Sequence, residues 1–156
     1  MTVGSLPDYQ ITFSAVADIL QQRVGHRLFT VSYVLPGEDC SERIYTNCPE
    51  KYPANGRSPR DDTEWTAMME RGECFVASRP DDFGPHFANL AAIVQNGLGA
   101  VINIPVREGE RIVGNLNLLD VTGSYTGPLI EPCREAATLA AAGFAQYKHW
   151  LAQRGS

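Results

Sequence analysis

No run of apolar residues in this sequence approaches the length needed to cross a bilayer, and the first ten residues, MTVGSLPDYQ, lack the charged-then-apolar pattern of a signal peptide. A cytoplasmic location is therefore expected. Lys/Arg clusters are also missing, and the net charge of -5 argues against a nucleic-acid surface. Local recognition of an anion by a single Arg stays open. The four Cys (40, 48, 74 and 133) show no CxxC or metal-like spacing, so free thiols are expected, with a Cys40–Cys48 disulfide as the alternative. The three His form no metal-spaced group with carboxylates, and a metal site is not expected. P-loop, GxSxG and Ser/His/Asp patterns are missing, as are repeats and low-complexity tracts. What remains, 156 residues with 44% hydrophobic and 20% charged content, suits one globular domain able to bury a core without staples.

The most informative stretch is Gly97–Asp120, GLGAVINIPVREGERIVGNLNLLD. Apolar, β-branched residues flank a Glu108-Gly109 turn signal, which predicts a β-hairpin. Three asparagines, Asn103, Asn115 and Asn117, interrupt these apolar strands, and a buried side-chain amide needs hydrogen-bonding partners. Asn115 and Asn117 share a face by the period of two. Asn103 joins them if the turn has odd length and is separated if it is even. The amides are either a cluster that fixes a polar ligand or caps for neighbouring loops.

Around this hairpin the chain alternates in character. Ser5–Val24 reads as an amphipathic helix with Ser5-x-x-Asp8 as a capping box and an apolar stripe of Phe13, Val16, Ala17, Leu20 and Val24. Leu28–Leu35 and Ser41–Asn47 read as strands, the first with Phe29, Val31 and Tyr33 on one face, the second with Arg43 and Tyr45 projecting together. Cys48–Asp62 reads as a long loop in which Tyr52, Arg57 and Arg60 suggest a lid. A short helix around Trp65, a short strand at Glu73–Ser78 and a helix at Phe83–Asn96 follow. Leu129–Gln153 is the longest helix, and its AATLAAAG patch permits close helix approach. The expected fold is α+β: an antiparallel sheet of about five strands, with N-terminal (about 5–24) and C-terminal (about 129–153) helices on one face and a ligand cavity in the sheet-and-lid region (about 27–120) on the other.

This order, with Leu28–Val34, Arg43-Ile44-Tyr45, Trp65, Leu98-Gly99, Asn103-Ile104-Pro105-Val106 and Ile112-Val113-Gly114 leading into Leu116-Asn117-Leu118-Leu119, resembles the GAF domain, a relative of the PAS domain. The resemblance covers most of the chain, and small stand-alone bacterial GAF proteins are its nearest flavour. It implies a small-molecule ligand, a homodimer formed through the terminal helices, and output through a partner protein, since no kinase, cyclase or phosphodiesterase sequence accompanies it. GAF domains bind cyclic nucleotides, haem, bilins or amino acids, and a few are enzymes. The expected cavity residues are Tyr33, Arg43, Tyr45, Trp65, Phe83, Asn103, Asn115 and Asn117, the Arg suiting a carboxylate or phosphate unless it serves a surface salt bridge. Small polar or aromatic metabolites, anions among them, are the favoured ligand class. An enzyme using His86 or Cys74 in the same cavity, with haem as an option for His86, is the second reading. Arg71-Gly72-Glu73-Cys74 loosely resembles a turn of the methionine-sulfoxide-reducing GAF enzymes, but those carry further cysteines before the fourth strand and Asn89–Gly99 has none. A partner-binding module with a filled cavity is the third.

Overall fold

The computed structural model describes residues 6–60, 63–84, 87 and 90–155. Helix α1 (Asp8–Arg23) leads into strands β1 (Leu28–Val34), β2 (Cys40–Thr46) and β3 (Arg57–Pro59). Helix α2 (Glu64–Glu70), strand β4 (Phe75–Ala77) and helix α3 (Leu90–Gln95) precede the hairpin β5 (Ala100–Glu108) and β6 (Arg111–Asp120), and α4 (Ile130–Arg154) closes the chain. The strands form one antiparallel sheet in the order β3-β2-β1-β6-β5-β4. The sheet thus has six strands rather than five. The extra one, β3, lies inside the segment read as loop and pairs with β2, with Arg57 opposite Glu42 and Pro59 opposite Cys40. A proline cannot donate to a ladder, so a three-residue strand ending in Pro59 is stable only at an edge, where it sits.

Helices α1 and α4 pack together against one face of the sheet. Their stripes, Phe13, Val16, Ala17 and Leu20 on α1 and Ala136, Ala140, Phe144 and Tyr147 on α4, are buried with Phe29, Val31, Tyr33, Ile102, Ile104, Leu116 and Leu118 from the strands. The small-residue patch acts as its sequence suggests. Gly143 brings α4 so near α1 that a Cβ there would stand 2.5 Å from the Phe13 ring. Leu151, which continues the spacing of the α4 stripe, is exposed. The capping box is not the start of α1: Pro7 occupies the N-cap without a side-chain cap bond, and Ser5 lies outside the described residues. Thr63 caps α2 by accepting a hydrogen bond from the Thr66 amide at 3.2 Å. The Phe83–Asn96 helix shrinks to α3, after a 3-10 turn at Pro80–Asp82.

A second, smaller cluster covers the opposite face, with Leu28, Tyr52, Phe83, Ile93, Val101 and Leu119 buried in it. All four cysteines are free. No described helix is long and apolar enough to cross a membrane.

Candidate functional site

Two register irregularities decide which side chains meet on the face away from α1 and α4. The β5–β6 turn holds two residues, Gly109 (φ +64°) and Glu110, between the Glu108–Arg111 pair. An even loop alone would send Asn103 to the face opposite Asn115 and Asn117. A bulge intervenes: Val106 faces Gly114 while Arg107 faces Ile112, so Val113 is the extra residue. Beyond it, Asn103 lies directly opposite Asn117, and all three amides share one face.

The second bulge lies in β2, where Val31 faces Tyr45 and Ser32 faces Arg43, leaving Ile44 unmatched. Alternation reverses there. Arg43 points to the amide face, whereas Ile44 and Tyr45 pack into the helix-side core. Tyr45 therefore does not project with Arg43; its ring lies 6.0 Å from Phe13 and 5.9 Å from Phe29. Tyr33 is likewise on the helix side, 5.1 Å from Tyr147. Its apolar parity in β1 serves the α4 stripe, and the polar parity, Thr30 and Ser32, faces the amides instead.

Those amides form one network. Asn117 Oδ1 accepts from Asn103 Nδ2 at 2.8 Å and from Asn115 Nδ2, and Asn117 Nδ2 donates to Thr30 Oγ1 and Ser32 Oγ, each at 3.1 Å. Trp65 Nε1 donates to Asn103 Oδ1 at 2.9 Å, which ties α2 over the sheet. Asn103 and Asn115 are each only 3% exposed, so their amides depend on these partners. Asn115 Oδ1 makes no bond among the described residues and is not sealed off. It is an acceptor open to the space above.

That space is a cavity of about 480 Å³, within the range typical of small-molecule sites, about 300–1,000 Å³. The network and Leu28 and Leu119 make its floor; Tyr52, Trp65, Phe87 and Ile93 make apolar walls. Arg43, Arg57 and Arg60 complete the lining with Ser41, Ser58, Thr63 and Thr66, and no acidic side chain is among the described residues that line it. The described part of the Cys48–Asp62 segment, residues 48–60, is thus a wall with a strand in it rather than a simple lid. It is pinned by Arg43, whose Nη1 donates to the Pro53 carbonyl at 3.0 Å and whose backbone pairs with Asn55 and Gly56, and by Asn96 Nδ2 donating to the Tyr52 hydroxyl at 2.9 Å. The Arg43 guanidinium lies 5.7 Å from the Tyr52 ring centroid.

Of the expected site residues, Arg43, Trp65, Asn103, Asn115 and Asn117 meet at this cavity; Tyr33 and Tyr45 do not. Phe83 is fully buried one layer behind Phe87, with ring centroids 4.8 Å apart. His86 lies outside the described residues. Cys74 is on the wrong side: it borders a separate cleft of about 310 Å³ between β5 and α4 and packs against the helix-side core. Burial raises its thiol pKa. Thr30, Ser32, Tyr52, Arg57 and Arg60 were missing from the expected site. The polar parity of β1 and the aromatic and basic content of the loop carried the signal for them.

Burial also pushes the Cys133 thiol up to about 12. At pH 8 only about one molecule in ten thousand then carries the reactive thiolate. We expect iodoacetamide to leave Cys133 unmodified in the folded protein and to modify it in urea. Stoichiometric labelling of native Cys133, read by peptide mass, would contradict this packing.

No protein-family model and no curated protein sequence matches the chain. Solved structures align over nearly its whole length. GAF3 from Slr1393 of Synechocystis sp. PCC6803, in its photoproduct state, is 18% identical, covers 95% of this chain and 99% of its own, and gives a TM-score of 0.65. The GAF domain/HD domain protein from Geobacter sulfurreducens is 10% identical, with coverages of 93% and 97% and a TM-score of 0.71. The second GAF domain of DevS from Mycobacterium smegmatis is 16% identical, with coverages of 96% and 100% and a TM-score of 0.64. Identities this low establish a shared fold and leave ligand and chemistry to each chain's own site.

Proposed function

We propose, on the premise that this chain has the GAF fold, that it is a sensor or binding module for a small polar or aromatic metabolite held in the cavity over the sheet. The observation that carries this reading is the amide network. Three asparagines and two hydroxyls are spent on one face of strands that otherwise read as core, beneath a cavity of about 480 Å³. A purely structural module would gain stability by filling that space with apolar side chains. A cytoplasmic homodimer through α1 and α4, whose exposed Ile11 and Leu139 offer apolar contacts, completes the reading and is tested by sedimentation.

The direct test is a thermal-shift screen against a metabolite library. A ligand of the native state at a hundred times its Kd stabilises by about 2.7 kcal/mol, a rise of roughly 5–10 °C for a chain of this size. If no small molecule raises the Tm, the cavity is not a ligand site.

A further inference from the structure

Three arginines line the cavity without an acidic side chain among the described residues, although the whole chain carries a net charge of -5. They are not equivalent. Arg57 is committed at the edge of the sheet, its Nε 3.0 Å from Glu42 and its Nη1 3.7 Å from Glu38. Arg60 is different. Its side chain is only 8% exposed, it makes no side-chain hydrogen bond among the described residues, and among those residues its acidic partner is Glu70, 3.9 Å away with most of its own side chain in solvent. Arg43 is half-buried, has no acidic partner among the described residues, and spends one donor on the Pro53 carbonyl. Burial lowers the pKa of both guanidinium groups, and the charge of Glu70 only partly offsets this at Arg60.

A cation removed from water is costly unless something compensates it, and fully buried arginines are almost always paired. Resting on the cavity reading above, we infer that the ligand is a small aromatic oxyanion whose carboxylate or phosphate is held by Arg60, with Arg43 as the second cation. A guanidinium presents donors in a fork that fits either group. Tyr52, Trp65 and Phe87 line the same space with aromatic rings, and Trp65 is held in orientation by Asn103. At the floor, Asn115 Oδ1 supplies an acceptor for an N–H or O–H elsewhere on the ring. Arg60 is therefore the residue that sets charge specificity, and the amides set orientation.

The test uses the full chain and three flat probes, benzoate, phenyl phosphate and the neutral benzamide, by calorimetry and thermal shift. At least one anion should bind tenfold or more tighter than benzamide, and which one does so distinguishes the carboxylate from the phosphate. Arg60→Met should weaken that anion at least tenfold while leaving the Tm of the unliganded protein equal or higher, because it removes a buried charge that Glu70 compensates only in part. Arg60→Lys, which keeps the charge and loses the fork, should fall between. Benzamide matching both anions, no detectable binding of either anion, or undiminished anion binding by Arg60→Met would each overturn the inference. In those cases a neutral hit in the metabolite screen leaves the cavity reading standing, and a screen without hits removes that as well. A lower Tm for unliganded Arg60→Met would make Arg60 a structural cation and overturn the inference too.

Discussion

Gly114→Ala should lose about 3 kcal/mol or more of stability, enough to lower the Tm by roughly 6–12 °C. Gly114 sits mid-strand in β6, between Tyr33 of β1 and Val106 of β5. A Cβ at this position would overlap the backbone carbonyl oxygen of Ser32 and stand 2.5 Å from the Phe144 ring. The carbonyl belongs to the neighbouring strand and cannot swing away as a flexible side chain would. Relief requires β1 and β6 to separate or α4 to lift, and Phe144 has no exposed surface from which to retreat. Gly109→Ala is the control. Its turn needs φ +64° but a Cβ there meets nothing within 4 Å, so only the left-handed backbone cost of about 1–2 kcal/mol applies. Urea unfolding of the two variants separates them: Gly114→Ala stability within 1 kcal/mol of wild type would mean that the sheet does not approach α4 this closely.

Asn117→Ala is expected to have the largest combined effect on stability and ligand binding. The side chain uses both amide atoms, accepting twice and donating twice. Its removal leaves Asn103 and Asn115, each 3% exposed, short of a partner. Stranding a buried polar group costs about 1–3 kcal/mol. Water entering through the cavity recovers part of that, so a loss of about 2–3 kcal/mol is expected at an unchanged m-value. Asn117→Asp separates the two roles. All four neighbours can donate to a carboxylate, since the Thr30 and Ser32 hydroxyls rotate, so the fold should suffer less than with alanine. The new negative charge in the cavity that the arginines line should nevertheless abolish binding of an anionic probe. Should Asn117→Ala stay within 0.5 kcal/mol of wild type and still bind its ligand, the network is ornament rather than foundation.

The helices were the most legible part of the chain. Phe13, Val16, Ala17 and Leu20, or Ala136, Ala140, Phe144 and Tyr147, announce a buried stripe through spacing alone, and each is buried. The hairpin was equally plain, and so was the need of three strand asparagines for partners. The aromatic placements were not. Tyr33 and Tyr45 carry the same ring as a cavity wall would, and composition does not distinguish a ring packed under α4 from one packed beside a ligand. The strand β3 was hidden because a three-residue segment ending in proline, at an edge, has almost no periodicity to read.

The amino-acid order by itself determined the element types, the apolar stripes and the presence of amides where a strand should be greasy, because periodicity and burial are properties of consecutive residues. Only the folded chain decided which face each residue took. One surplus residue at Val113 carries Asn103 to the side of Asn115 and Asn117, and another at Ile44 parts Arg43 from Tyr45. A bulge is set by how two distant strands settle against each other and against the helices, and a single-residue slip inverts every side chain beyond it.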